Sequence, residues 1–144
     1  RKKRAAALPA MRRRPRKRAT EVDPVIKDFI TDMYENQRYY DEDFLKAHCT
    51  ERMLQYLKEQ YEYDGEGYAC WLFRTSSQDG KPGYNGDRDK VTSITKDNAG
   101  WYHYEFTDGG WRGENKIQAY VEDGHVMIDQ LDRVYDEAYE AYNL

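Results

Sequence analysis

The spacing of apolar residues changes once along this chain, at Asp64-Gly65-Glu66-Gly67, from a helical period to an extended one. No other feature restricts the fold as much. A chain that places its helices first and its strands afterwards builds an α+β domain, with helices covering one side of an antiparallel sheet. Before the change, Asp23-Pro24 supplies an N-cap and a proline at the first helical position, and Val25, Ile26, Phe29, Ile30, Met33 and Tyr34 recur at helical spacing. A second start at Asp41 leads into Phe44 and Leu45, and a third at Thr50 leads into Met53, Leu54, Leu57 and Tyr61. After the change, residues 68–75 read as a strand apolar on both alternations, which calls for cover on both faces. Trp71 and Phe73 are expected to pack toward the helices, against Phe29, Met33 and Leu57. A polar loop over residues 78–89 is followed by strands at 90–96, 101–108, 114–122 and 125–134, with hairpin turns at Asn98-Ala99-Gly100 and Asp123-Gly124.

Within the strands, Tyr102, Tyr104 and Phe106 share one face, as do Ile117, Ala119 and Val121. This order, carried by DGEGYACWLFRTSSQD at 64–79, WYHYEF at 101–106 and KIQAYVEDGHVMID at 116–129, resembles small secreted gut-bacterial proteins of unknown function with the nuclear-transport-factor-two-like fold, also called cystatin-like. The resemblance spans about residues 22–134. It implies a cone-shaped domain in which a curved sheet wraps the helices and encloses a cavity. It further implies a periplasmic or extracellular location, and a superfamily whose enzymes place an aspartate, histidine or tyrosine in the cavity for proton transfer.

At 144 residues the chain suits one core. Three regions are expected: a disordered basic arm at 1–20, a single α+β domain at 21–134 and a tyrosine-rich tail at 135–144. Residues 1–18 hold ten Lys or Arg and no acid, which leaves 13 of the 23 bases against all 27 acids in the remainder, a net charge of −14. An acidic body repels phosphate backbones, so any affinity for nucleic acid would reside in the arm, where RRRPRKR at 12–18 has the composition of a polyanion-binding or nuclear-localisation patch. No apolar run approaches the roughly 20 residues of a membrane helix, and no signal-peptide core is visible; the arginine at position 1 points to a processed or truncated product. Cys49 and Cys70 permit a single disulfide, and whether it forms is left open.

Tyrosine joins contact area to a polar tip, and 14 of them suit pocket walls and core edges. The candidate ligand-binding residues are Tyr68, Trp71, Asp79, Tyr102, Tyr104 and Asp129. Asp79, in Ser76-Ser77-Gln78-Asp79-Gly80, is expected to cap backbone amides at a turn on the sheet's edge, the alternative being a place at the cavity rim. His103 and Asp129 are the residues from which an acid–base pair would have to be made, but alternation turns both away from the tyrosine wall. The three histidines and two cysteines lack metal-ligand spacing, and no cofactor motif is present. In the tail, Tyr135, Tyr139 and Tyr142 are expected on one helical stripe that packs back on the body or meets a partner. The sequence therefore points to a non-enzymatic domain that binds a small ligand or partner. The alternatives are an isomerase- or dehydratase-like enzyme with a cavity aspartate or histidine, and a dimerisation module pairing through its sheet.

Overall fold

The computed structural model describes residues 19–143. The basic arm lies outside the described residues except for Ala19 and Thr20, which form an exposed turn. Helix α1 (Pro24–Glu35) is capped by the Asp23 carboxylate, which accepts from the Val25 amide, and a 3-10 turn at Arg38–Tyr40 leads into α2 (Glu42–His48), capped in the same way by Asp41. Thr50 caps α3 (Glu51–Glu59). All three caps fall where the sequence puts them, because each is a local bond between a short polar side chain and an otherwise unpaired amide of the first turn.

Four antiparallel strands follow, β1 (Val91–Lys96), β2 (Tyr102–Asp108), β3 (Trp111–Glu122) and β4 (His125–Asp136), paired in sequence order as a meander that does not close. A last helix, α4 (Glu137–Asn143), makes four α-helices among the described residues. The ordered body thus continues past residue 134. Tyr135 belongs to β4 rather than to a helical stripe, and Ala138 of α4 is fully buried.

Burial alternates along β2, with Tyr102, Tyr104, Phe106 and Asp108 inward, and along the first half of β3, with Trp111, Gly113, Asn115 and Ile117 inward. Of these, Tyr102, Tyr104, Phe106 and Ile117 meet Ile26, Ile30, Met33 and Tyr34 of α1, Leu45 of α2, and Met53 and Leu57 of α3 in one core. Each large apolar side chain buried there is worth roughly 1.5–3 kcal/mol. Gly113 is part of the fit: a Cβ on it would lie 2.5 Å from the Phe106 ring and 2.9 Å from Thr75 Cγ2, so this position has no room for a side chain. Pairing of β4 with β3 shifts register twice, leaving Asp129 and Val134 as extra residues. Two such bulges bend and twist a strand.

The expected strand at 68–75 does not form. Cys70–Phe73 is a 3-10 turn, and the segment crosses the inner face of the sheet without joining a ladder. Its carbonyls are satisfied by side chains instead: Arg133 donates to Trp71 O and Arg74 O, Asn115 Nδ2 to Leu72 O at 3.0 Å, and the Tyr104 hydroxyl to Phe73 O at 2.7 Å. Short apolar runs carry no period that separates a strand from a buried turn. Phe73 is fully buried beside Tyr39, but Trp71 is half-buried and packs on Tyr61 and Tyr63 rather than on the helices.

Candidate functional site

Asp108 extends the inward alternation of β2, so its carboxylate arrives in the core and needs donors. It receives the Arg74 guanidinium at 2.7 and 3.0 Å, the Thr75 hydroxyl at 2.6 Å and the Thr75 amide at 3.1 Å, with the Ser77 hydroxyl at 3.3 Å. Burial alone would lower the pKa of Arg74, but the bonds to Asp108 outweigh that and raise it, which keeps the guanidinium charged. A carboxylate with this many donors is a pin, and it fixes residues 74–77 to the sheet.

Asp136, at the end of β4, makes a second pin with two arms. One oxygen accepts from the Ser76 amide at 2.8 Å and the other from the Tyr139 amide at 3.1 Å, so a single carboxylate holds both the 76–79 loop and α4. Trp111 repeats the arrangement. Its indole N–H donates to Asp79 O at 2.9 Å, and its ring meets Tyr142 edge-on at 5.6 Å. Between the loop and the helix lies an open cleft of about 530 Å3, lined by Ser76, Ser77, Gln78, Asp79, Tyr139 and Tyr142 over Ala138. Its walls therefore offer hydroxyls, an amide, a carboxylate and two tyrosines.

Of the six sequence candidates, only Asp79 reaches this cleft. Asp79 is exposed, and the carboxylates that accept from the Thr75 and Ser76 amides in this segment are Asp108 and Asp136. Tyr102 and Tyr104 are 2% and 0% exposed and serve as core, Tyr102 accepting from the Asp23 amide through its hydroxyl. Tyr68 is half-buried with Lys58 above its ring, and Trp71 sits in the Tyr61–Tyr63 cluster. Asp129, the extra residue of the first β4 bulge, accepts from Thr50 at 2.8 Å and pairs with Arg52, and these bonds, Arg52 first, lower its pKa despite some burial. Asp108, Asp136, Arg74 and Trp111 went unnoticed in the sequence. An aspartate at an inward strand position was the available signal, since a buried carboxylate requires partners.

His103 and Asp129 are not brought together. His103 pairs with Lys116 in β3 and Lys116 with Asp132 in β4, which leaves Asp129 two strands away and offset along the strand. His103 lies instead between two carboxylates, Nε2 at 2.8 Å from Asp97 and Nδ1 at 2.6 Å from Glu114. A carboxylate faces each ring nitrogen, an arrangement that favours the protonated ring, in which both nitrogens donate. Burial pulls its pKa down, but the bonds to Asp97 and Glu114 more than offset this and raise it above the ordinary 6.5. A group raised in the native state stabilises fully below its unfolded value, and that stability is lost as pH climbs through the native one. Thermal melts from about pH 5 to about pH 9 should show the wild type's margin over His103→Gln shrinking as pH rises above about 6.5. A margin that widens with pH would contradict the assignment.

Cys49 is buried, with its thiol pushed up to about 12 by burial, Cys70 is half-buried, and both thiols are free. Among the described residues no group of three or more His, Cys, Asp or Glu is placed to hold a metal ion, and no helix is long and apolar enough to cross a membrane. No protein-family model, curated protein or solved structure matches the chain.

Proposed function

We propose that the chain is a non-enzymatic binding domain of the cone-shaped, cystatin-like kind, and that the cleft between the 76–79 loop and α4 takes a small hydroxylated ligand of the saccharide type. The observation that carries this reading is the double anchoring of the cleft: Asp136 bonds both walls, and Trp111 bonds the loop and packs edge-on against Tyr142 of the helix. Walls fixed in advance spare a ligand the ordering cost that weakens most surface sites. The lining suits a polyol, because tyrosine faces cover its C–H surface while Asp79 and Gln78 accept and donate at neighbouring hydroxyls.

The test is a titration of the full chain with glucose, galactose, N-acetylglucosamine and their dimers, followed through indole fluorescence, since Trp111 contacts Asp79 and Tyr142 of the cleft walls. Saturable binding is expected, weakened about tenfold or more in Asp79→Ala through loss of a charge-assisted bond, with the melting temperature unchanged. Equal affinity in Asp79→Ala, or no binding of any of these sugars at millimolar concentration, would overturn the proposal.

A further inference from the structure

On the other side of the 70–77 segment, three aromatic rings form an exposed cluster. Tyr61 and Trp71 lie 5.6 Å apart between ring centroids, Tyr63 and Trp71 5.4 Å at an interplanar angle of 80°, and Tyr61 and Tyr63 5.7 Å at 70°. Tyr63 is 64% exposed, and its two neighbours are half-exposed. The cluster is built into the chain path. The Ala69 amide donates to Leu57 O at 2.9 Å and ties the loop back to α3, and the Tyr61 ring lies so close over Gly67 that a Cβ there would come within 2.6 Å of it. Large aromatic faces left at the surface in such a cluster mark a contact site.

The charge around these rings says what kind of contact. Glu62, Asp64 and Glu66 lie in the same loop and are exposed, and none is ion-paired among the described residues. Aromatic faces attract guanidinium and ammonium groups, and neighbouring carboxylates add to that pull. The matching chemistry is an arginine- and lysine-rich strand of chain, and residues 1–18 of this protein carry ten such residues and no acid. Extended, the segment carries the basic run at residues 1–4 up to about 60 Å from Ala19 and the run at 12–18 up to about 25 Å, against a radius of gyration of about 14 Å for a body of this size, so the N-terminal run has the reach to cross the body's surface.

We propose that the surface made by Tyr61, Tyr63 and Trp71 with its acidic loop docks the chain's own residues 1–18, within one molecule. Attachment on the same chain gives the basic segment a high effective concentration, so several weak contacts suffice. Docked in this way, the arm is withheld from polyanions, and body and nucleic acid compete for it.

The experiment is the initial rate of trypsin cleavage at Arg and Lys within residues 1–18 of the full-length chain, read by mass spectrometry. At low salt the wild type is expected to be cleaved about tenfold more slowly than Glu62→Gln/Asp64→Asn/Glu66→Gln, and more slowly than Tyr63→Ala, which removes an exposed ring and leaves the core intact. At about 1 M salt, where the Debye length falls to about 3 Å, the rates should converge. A control, Glu105→Gln/Glu122→Gln/Asp123→Asn, removes the same charge from exposed positions elsewhere and should keep the protection. Equal rates in wild type and loop variants would overturn the proposal, and so would loss of protection in the control, which would reduce the effect to net charge. Protection that grows with protein concentration would place the contact between copies and overturn its intramolecular form.

Discussion

Asp108→Ala should destabilise the protein by about 3 kcal/mol, the lower end of the range for breaking one partner of a buried ion pair. The lower end applies because Arg74 retains some solvent access, its side chain being 25% exposed against 3% for Asp108. Three things are lost together: the charge that compensates Arg74, the acceptor for the Thr75 amide and hydroxyl, and the tie that fixes residues 74–77 to β2. For a domain of this size the melting temperature should fall by roughly 10 °C. The double variant Arg74→Met/Asp108→Leu should recover part of that loss, because it leaves no unpaired charge behind. A fall of only a degree or two in Asp108→Ala would mean that the carboxylate is dispensable and that residues 74–77 are held by packing alone.

Phe73→Ala is expected to cost about 3–5 kcal/mol, as deletion of a fully buried aromatic does, whereas Trp71→Ala should cost about 1 kcal/mol. The two residues are neighbours in the same apolar run and would look equivalent in a strand. In the 3-10 turn they diverge: Phe73 is 0% exposed and stacks on Tyr39 at 5.9 Å, while Trp71 leans on Tyr61 and Tyr63 at the surface. Denaturant melts of the two variants read the difference directly. A Trp71→Ala chain as unstable as Phe73→Ala would place the indole in the core and return the segment to an extended conformation.

The candidate cleft was only partly legible in the sequence, and the missing part has one cause. Asp79 could be singled out because a short polar loop with glycine announces itself locally. Its neighbours in the cleft, Tyr139 and Tyr142, arrive from the far end of the chain, and they are brought there by the bonds of Asp136 and by Trp111. Conversely, Tyr102 and Tyr104 had the composition of a pocket wall but are consumed by the core, where the Tyr104 hydroxyl serves the backbone of the 3-10 turn and that of Tyr102 accepts from the Asp23 amide.

The sequence by itself determined the helix starts at Asp23, Asp41 and Thr50, the strand alternation of β2 and β3, the Asp-Gly hairpin and hence the α+β order. Each of these rests on contacts between residues a few positions apart, so the information needed is adjacent in the chain. Only the tertiary structure decided the path of residues 68–77. Their backbone carbonyls find no strand and are met by Arg133, Asn115 and Tyr104, residues about 30 to 60 positions away. A buried carbonyl must be paired with something, but which side chain pairs it depends on what the rest of the chain delivers to that place.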